Sequence, residues 1–121
     1  MIPNAHGTGL SLKGLPKLRS VDLGYNSALA SLELDENNGI NALLISGCAF
    51  QSVDDVLECC PSLNELSCSG NRLTELDLTK HLSIRELHCD HNRLTRLLVP
   101  EGQYFGHLYC HSNQLGEAAL K

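Results

Sequence analysis

The chain has 121 residues and a mass of 13.2 kDa, with 42% apolar, 19% charged and 4% aromatic residues and no Trp, which is typical of one globular domain with an aliphatic core. The net charge of −5 and the pI near 5.6 argue against nucleic acid or an anionic membrane as a partner, because both bind basic surfaces. No apolar run approaches the roughly 18 residues that cross a bilayer, so membrane insertion is not expected.

The N-terminal residues and the cysteines bear on the compartment. The N-terminal stretch MIPNAHGTGL lacks the basic start and the apolar segment of a secretory signal. Cys68, Cys89 and Cys110 recur at one constant spacing, and the chain has no Cys-x-x-Cys pair. This spacing indicates an internal repeat rather than disulfides or zinc ligands. Six apparently free thiols without a signal favour a cytoplasmic location.

Five units share one sequence frame, which is LxxLxCxxNxL in its fullest form. They start near positions 18, 40, 63, 84 and 105, so their spacing is nearly constant. The centre of each unit alternates as a short strand does, and stacking such strands in parallel, about 4.8 Å apart, completes both the backbone ladder and the core. The residues expected to point inward are Val21 and Leu23, Leu43 and Ile45, Leu66 and Cys68, Leu87 and Cys89, and Leu108 and Cys110.

A polar residue ends each predicted strand. It is Asn at positions 26, 71, 92 and 113 and Cys at position 48. An Asn side chain can satisfy backbone groups where the chain turns, and we expect the Cys48 thiol to take that place. The inward cysteines are expected to be buried core thiols. Because the chain also lacks a glycine-rich phosphate loop and a nucleophile elbow, it is not expected to be an enzyme or to hold a cofactor.

A second motif, LxxLxL, follows half a repeat later. It occupies positions 29–34, 73–78, 94–99 and, with one Ala, 115–120. The unit that starts at residue 40 differs, because positions 53, 56, 57 and 60 are apolar at helical spacing. Ser52 and Asp55 fit a capping box and Pro61 ends the run, which predicts a helix over 52–60.

The nested unit resembles the 21-residue leucine-rich repeats found mainly in bacterial proteins, most closely at LNELSCSGNRLTELDLTKH, residues 63–81. The resemblance implies an α/β repeat fold, a right-handed β-α/β-β superhelix with a parallel strand ladder on its concave face. Short strands, turns and one helix are then expected on the convex side. It also implies a protein-binding module, as part of a larger bacterial surface or effector protein.

The frame spans residues 1–121 as a single domain of about five repeats, with no clear cap at either end. We therefore expect either a piece of a longer repeat protein or an unusually short array. In a short array the exposed edge strands could pair two copies into a homodimer.

Function is expected to reside in the residues that point out of the concave strand face. The side chains on this face are mostly small in the first repeats, whereas the last two repeats carry Glu, His, Asp and Tyr. The candidate partner-binding residues are Glu65, Glu86, His88, Asp90, His107, Tyr109 and His111. In a protein-binding surface, Tyr109, His88 and Leu44 would supply contact area and the carboxylates would supply orientation. The alternative is a solvated face whose polar residues bind nothing.

A metal-binding patch around His88, Asp90, His107 and His111 is a further alternative. His107 and His111 are four positions apart, about 13 Å along a strand, which is too far to share one ion. Only combinations across strands, such as His88 with His107, therefore remain. Self-association through the open edges is the other alternative function.

Overall fold

The structure, a computed structural model, describes residues 9–101 and 106–114. These residues form a parallel-strand solenoid of about five coils with very little helix. The elements in chain order are β1 (Gly9–Ser11), β2 (Ser20–Asp22), β3 (Ser31–Glu33), β4 (Ala42–Leu44), α1 (Asp54–Glu58), β5 (Glu65–Ser67), β6 (Glu75–Asp77), β7 (Glu86–His88), β8 (Arg96–Leu98) and β9 (His107–Tyr109). No helix in this part of the chain is long and apolar enough to cross a membrane.

The main sheet has five parallel strands in the order β2-β4-β5-β7-β9, one from each unit. The central residues of the strands align in register, and they are Val21, Leu43, Leu66, Leu87 and Leu108. The first four of these are at most 4% exposed. The predicted units and their inward positions are confirmed for these coils.

The last coil differs from this expectation. Leu108 is 38% exposed and Cys110 is half-buried, although both were expected in the core. Each inner coil is sandwiched between two neighbours, whereas the described residues pack on Leu108 from one side only. The predicted first residue of this unit, Phe105, lies outside the described residues.

Within the described residues, the opposite side of the solenoid has two separate two-stranded parallel ladders, β1-β3 and β6-β8. Strands β3, β6 and β8 come from the LxxLxL motifs, as the resemblance implies, whereas β1 precedes the first of these motifs. Leu10 pairs with Leu32 and Leu76 with Leu97. The motif at 115–120 lies beyond the described part of the chain. Helix α1 takes the place of a strand in the coil between the two ladders, so β3 and β6 do not pair.

Helix α1 is confirmed, but its predicted bounds and capping box are wrong. It covers only Asp54–Glu58, and its N-cap is Val53, which makes no side-chain cap hydrogen bond. The Ser52 hydroxyl accepts instead from the N–H of Asp54, two residues on, at 3.3 Å. Val53 is 1% exposed, and burying this side chain in the core leaves Ser52 outside the helix, where it cannot act as the cap.

The Asn that follows each of β5, β7 and β9 binds the backbone of its own coil and of the coil before it. The Nδ2 of Asn71 donates to the carbonyl oxygens of Ile45 at 2.9 Å and Cys68 at 3.0 Å, and its Oδ1 accepts from the N–H of Phe50 at 3.0 Å. Asn92 and Asn113 repeat these contacts one and two coils later. The predicted role of this residue is therefore confirmed, and it joins neighbouring coils.

The residue before each of these side chains lies in the left-handed backbone region. The five residues and their φ angles are Tyr25 (65°), Gly47 (71°), Gly70 (67°), His91 (56°) and Ser112 (56°). Glycine adopts such angles at little cost, and other residues do so less readily. We call this set the turn column. It is the point at which the chain leaves the main sheet.

Candidate functional site

The main sheet exposes three columns of side chains, which together we call the outer face. The first column contains Ser20, Ala42, Glu65, Glu86 and His107. The second contains Asp22, Leu44, Ser67, His88 and Tyr109. The third lies just past the strands, where backbone hydrogen bonds continue the ladder, and contains Gly24, Ser46, Ser69, Asp90 and His111. All seven candidate residues are therefore placed on one surface.

Three aromatic rings form a stack at the C-terminal end of the outer face. The rings of His88 and Tyr109, paired in register on β7 and β9, lie 4.7 Å apart between centroids with an angle of 18° between their planes. The ring of His107 lies 6.3 Å from that of Tyr109 and is nearly parallel to it, at 4°. Tyr109 is 42% exposed. The stack thus presents flat aromatic area to solvent.

Carboxylates border this stack. The Nε2 of His88 lies 2.7 Å from Oε2 of Glu86 on the same strand, and both side chains are about one-third exposed, at 30% and 36%. Glu65 is paired in register with Glu86 on the neighbouring strand. Like charges directly opposite each other on a sheet repel. The His88 imidazole lies beside this pair of acids, with its Nε2 within hydrogen-bond distance of Glu86.

Asp90 carries the one carboxylate among the five residues of the third column, and several contacts hold it. The Ser69 hydroxyl donates to its Oδ1 at 2.6 Å, and its Oδ2 lies 3.7 Å from the Nε2 atoms of both His91 and His111. Burial would raise the pKa of Asp90, but the hydrogen bonds from Ser69 and from its own backbone, with the charges of His111 and His91, lower it below the usual 3.8. Asp90 is accordingly ionised at neutral pH.

His107 does not join His88 in the groups of three or more potential metal donors that the described residues form. In residues 9–101 and 106–114, the candidate metal donors fall into two separate sets, Glu65 with Glu86 and His88, and Asp90 with His91 and His111. His107 belongs to neither set. Its ring lies alongside Tyr109 instead.

His91 was not among the predicted site residues. Strand alternation does not apply to the turn column, where a left-handed backbone sets the direction of the side chain. One feature of the sequence could have identified His91. It immediately precedes the strand-end residue Asn92, and in the preceding coil Gly70 precedes Asn71 in the same way. Where the two preceding coils have glycine, this coil has an imidazole.

The inward thiols are unsuited to nucleophilic chemistry. Burial raises the pKa of Cys89 to about 12 and raises that of Cys68 well above the usual 9.0. Nucleophilic attack requires the thiolate, which such groups barely populate at neutral pH. Their position supports the interpretation of these residues as small core side chains.

We compared the chain with protein-family models, with curated proteins and with solved structures. None of these comparisons gives a match. The function is therefore argued from the geometry and chemistry of the outer face.

Proposed function

We propose that the chain is a leucine-rich-repeat domain and that its outer face binds a protein partner. The leucine-rich-repeat assignment is supported by parallel coils of nearly constant length whose strand-end Asn side chains join consecutive coils. The nested LxxLxL strands on the opposite side give further support. The sequence resemblance adds a bacterial surface or effector protein as the biological setting.

The observation that carries the binding proposal is the exposed stack of His88, Tyr109 and His107. Tyrosine is enriched among the residues that dominate the energy of protein interfaces, because a rigid ring buries a large area at little conformational cost. Glu86 and Glu65 lie next to the stack and offer charged hydrogen-bond acceptors at its border. An apolar centre with a polar rim is the usual anatomy of a protein interface.

Other classes of function receive less support from this surface. The carboxylates of the outer face and the net charge of −5 disfavour nucleic acid, since a phosphate backbone needs basic contacts. Catalysis is disfavoured because the pKa values of Cys68 and Cys89 are raised. We therefore propose a non-enzymatic role in recognition.

The test uses a matched pair of tyrosines. Tyr109 lies in the stack, whereas Tyr25 is 85% exposed in the first coil, four coil spacings or about 19 Å along the solenoid. Immobilised wild-type chain, Tyr109→Ala and Tyr25→Ala are exposed to proteins of the source cell, and captured proteins are identified by mass spectrometry. The Kd of each captured protein is then measured by calorimetry.

We expect at least one protein that binds the wild type and Tyr25→Ala but binds Tyr109→Ala about thirtyfold more weakly, the cost of truncating a central interface residue. His88→Ala should have a similar effect. The proposal fails if no protein is captured specifically, or if the captured proteins bind Tyr109→Ala as tightly as the wild type.

A further inference from the structure

Three potential metal ligands converge where the last two described coils leave the main sheet. Asp90 and His111 are neighbours in the third column, and His91 follows Asp90 in the turn column. Each of the three residues offers one ligand atom, a carboxylate oxygen or an imidazole nitrogen, and these atoms all lie within 4.8 Å of one another. The two imidazole rings meet edge to face, with centroids 4.9 Å apart.

These separations are close to what one zinc ion requires. Zinc bonds of about 2.0–2.2 Å in tetrahedral geometry place ligand atoms roughly 3.4 Å apart. The Asp90 oxygen is 3.7 Å from each imidazole nitrogen. The histidine side chains are about 60% exposed, at 60% and 61%, so small side-chain rotations into solvent can close the remaining distance.

Hydrogen bonds behind two of the ligands orient them. Ser69 donates to Oδ1 of Asp90 at 2.6 Å, which leaves Oδ2 facing the histidines. The Nδ1 of His111 lies 3.2 Å from the hydroxyl oxygen of Ser112. When Nδ1 carries the proton and donates to this hydroxyl, Nε2 has its lone pair free for a metal. Such outer partners accompany the ligands in most protein metal sites.

We propose that Asp90, His91 and His111 bind one divalent transition-metal ion, zinc in particular, with water completing the coordination. Two imidazoles and one carboxylate suit zinc, whereas calcium and magnesium prefer all-oxygen sites. The bound ion links the coil of β7 to the coil of β9. This proposal is independent of whether the outer face binds a protein.

His91 differs from the residues at the same position of the two preceding coils. Its φ of 56° lies in the left-handed region, where those coils have Gly47 and Gly70. Tyr25 and Ser112 show that this turn also accepts other side chains. Among the five residues of the turn column, His91 is the one that brings an imidazole to Asp90 and His111.

The test is a calorimetric titration of the full chain, freed of metal and kept reduced, with zinc chloride. The ligand variants are His91→Gly, which suits the local backbone and so preserves the fold, and His111→Gln. His107→Gln and His88→Gln are the matched controls, because each removes an imidazole from the outer face without touching the proposed ligand set. Ser69→Ala tests the orienting hydrogen bond.

We expect one equivalent of zinc to bind the wild type and both controls with the same Kd. Zinc binding should be weakened more than about 100-fold in His91→Gly and His111→Gln, and about 10–100-fold in Ser69→Ala. Zinc should also raise the Tm of the wild type but not that of His91→Gly. A cobalt-loaded sample should lack thiolate-to-metal charge-transfer absorption, since no cysteine takes part.

Four results would overturn the proposal. The first is a wild type that does not bind zinc, and the second is binding that persists unchanged in His91→Gly. The third is binding that is lost in His88→Gln, which would assign the ion to Glu65, Glu86 and His88. The fourth is binding whose cobalt spectrum shows thiolate ligands.

Discussion

The thiol of Cys48 donates a hydrogen bond to the carbonyl oxygen of Leu23 at 3.3 Å, in the position where Asn71 donates to the carbonyl oxygen of Ile45 one coil later. The two side chains are not equivalent, however. Asn71 also accepts from the buried N–H of Phe50, and a thiol is a weak acceptor.

The coil before Cys48 explains why a thiol is sufficient there. The N–H at the equivalent position, that of Leu29, already donates to the backbone oxygen of Asn26 at 2.9 Å. We therefore expect Cys48→Asn to change the free energy of unfolding by less than about 1 kcal/mol. The reverse change, Asn71→Cys, should lower it by about 1–3 kcal/mol, because it leaves the Phe50 N–H buried without a good acceptor.

Denaturant unfolding of both variants, followed by circular dichroism, measures this difference. Equal destabilisation by the two substitutions would contradict it.

His91→Gly should stabilise the metal-free protein. Removing the side chain relieves the left-handed strain at φ 56°, although glycine also gains conformational entropy in the unfolded chain. The net expected gain is about 0.5–1 kcal/mol in the free energy of unfolding. Thermal and urea unfolding in the presence of a chelator measure it, with Ser112→Gly as a matched control at the same φ. A clear loss of stability in His91→Gly would disprove the strain argument.

The thiols should differ widely in reactivity. At pH 8, a thiol with a pKa of about 12, such as Cys89, forms roughly a thousandfold less thiolate than a thiol with a pKa of 9.0. Iodoacetamide should therefore label the half-buried Cys59 and Cys110 first and reach Cys68 and Cys89 only after unfolding. Peptide mass spectrometry of the native and urea-treated protein decides the order. Early labelling of Cys89 in the native protein would be inconsistent with a closed core.

Stability should fall at alkaline pH. In the unfolded chain Cys89 ionises near pH 9.0, whereas in the folded protein its pKa is about 12. Between these values the folded state binds more protons than the unfolded state, so each unit rise in pH lowers the free energy of unfolding by up to about 1.4 kcal/mol for this thiol. The stabilisation is fully present below pH 9. Urea unfolding of the wild type and Cys89→Ala between pH 8 and 11 tests it, and equal slopes would refute the assignment.

The sequence predicts the main sheet well because one period governs several residues of every coil. Val21, Leu43, Leu66 and Leu87 occupy the same inward position, and the structure aligns them as the spacing requires. The strand-end role of Asn71 also follows, since an amide both donates and accepts where a ladder ends. These features depend on local pattern alone.

Other features depend on packing that the pattern does not describe. Ser52 fits the capping consensus, but the burial of Val53 moves the start of the helix past it. His91 was missed because alternation has no meaning at a residue with positive φ. The sequence offered His107 as part of one alternative, a metal patch, but could not show that its ring lies alongside that of Tyr109. In each case the sequence pattern allows more than one position for the side chain, and tertiary contacts determine which position it takes.

Because α1 replaces a strand, strand pairing is continuous on one side of the solenoid and interrupted on the other. The five strands of the main sheet form an unbroken series of hydrogen bonds, whereas the opposite side is divided into β1-β3 and β6-β8. A bending force on the solenoid therefore breaks no strand pairing on that side when the bend occurs at the coil of α1. We expect the coils joined by β1-β3 and the coils joined by β6-β8 to be the stiffer segments, so that the curvature of the outer face changes mainly at the coil of α1 between them.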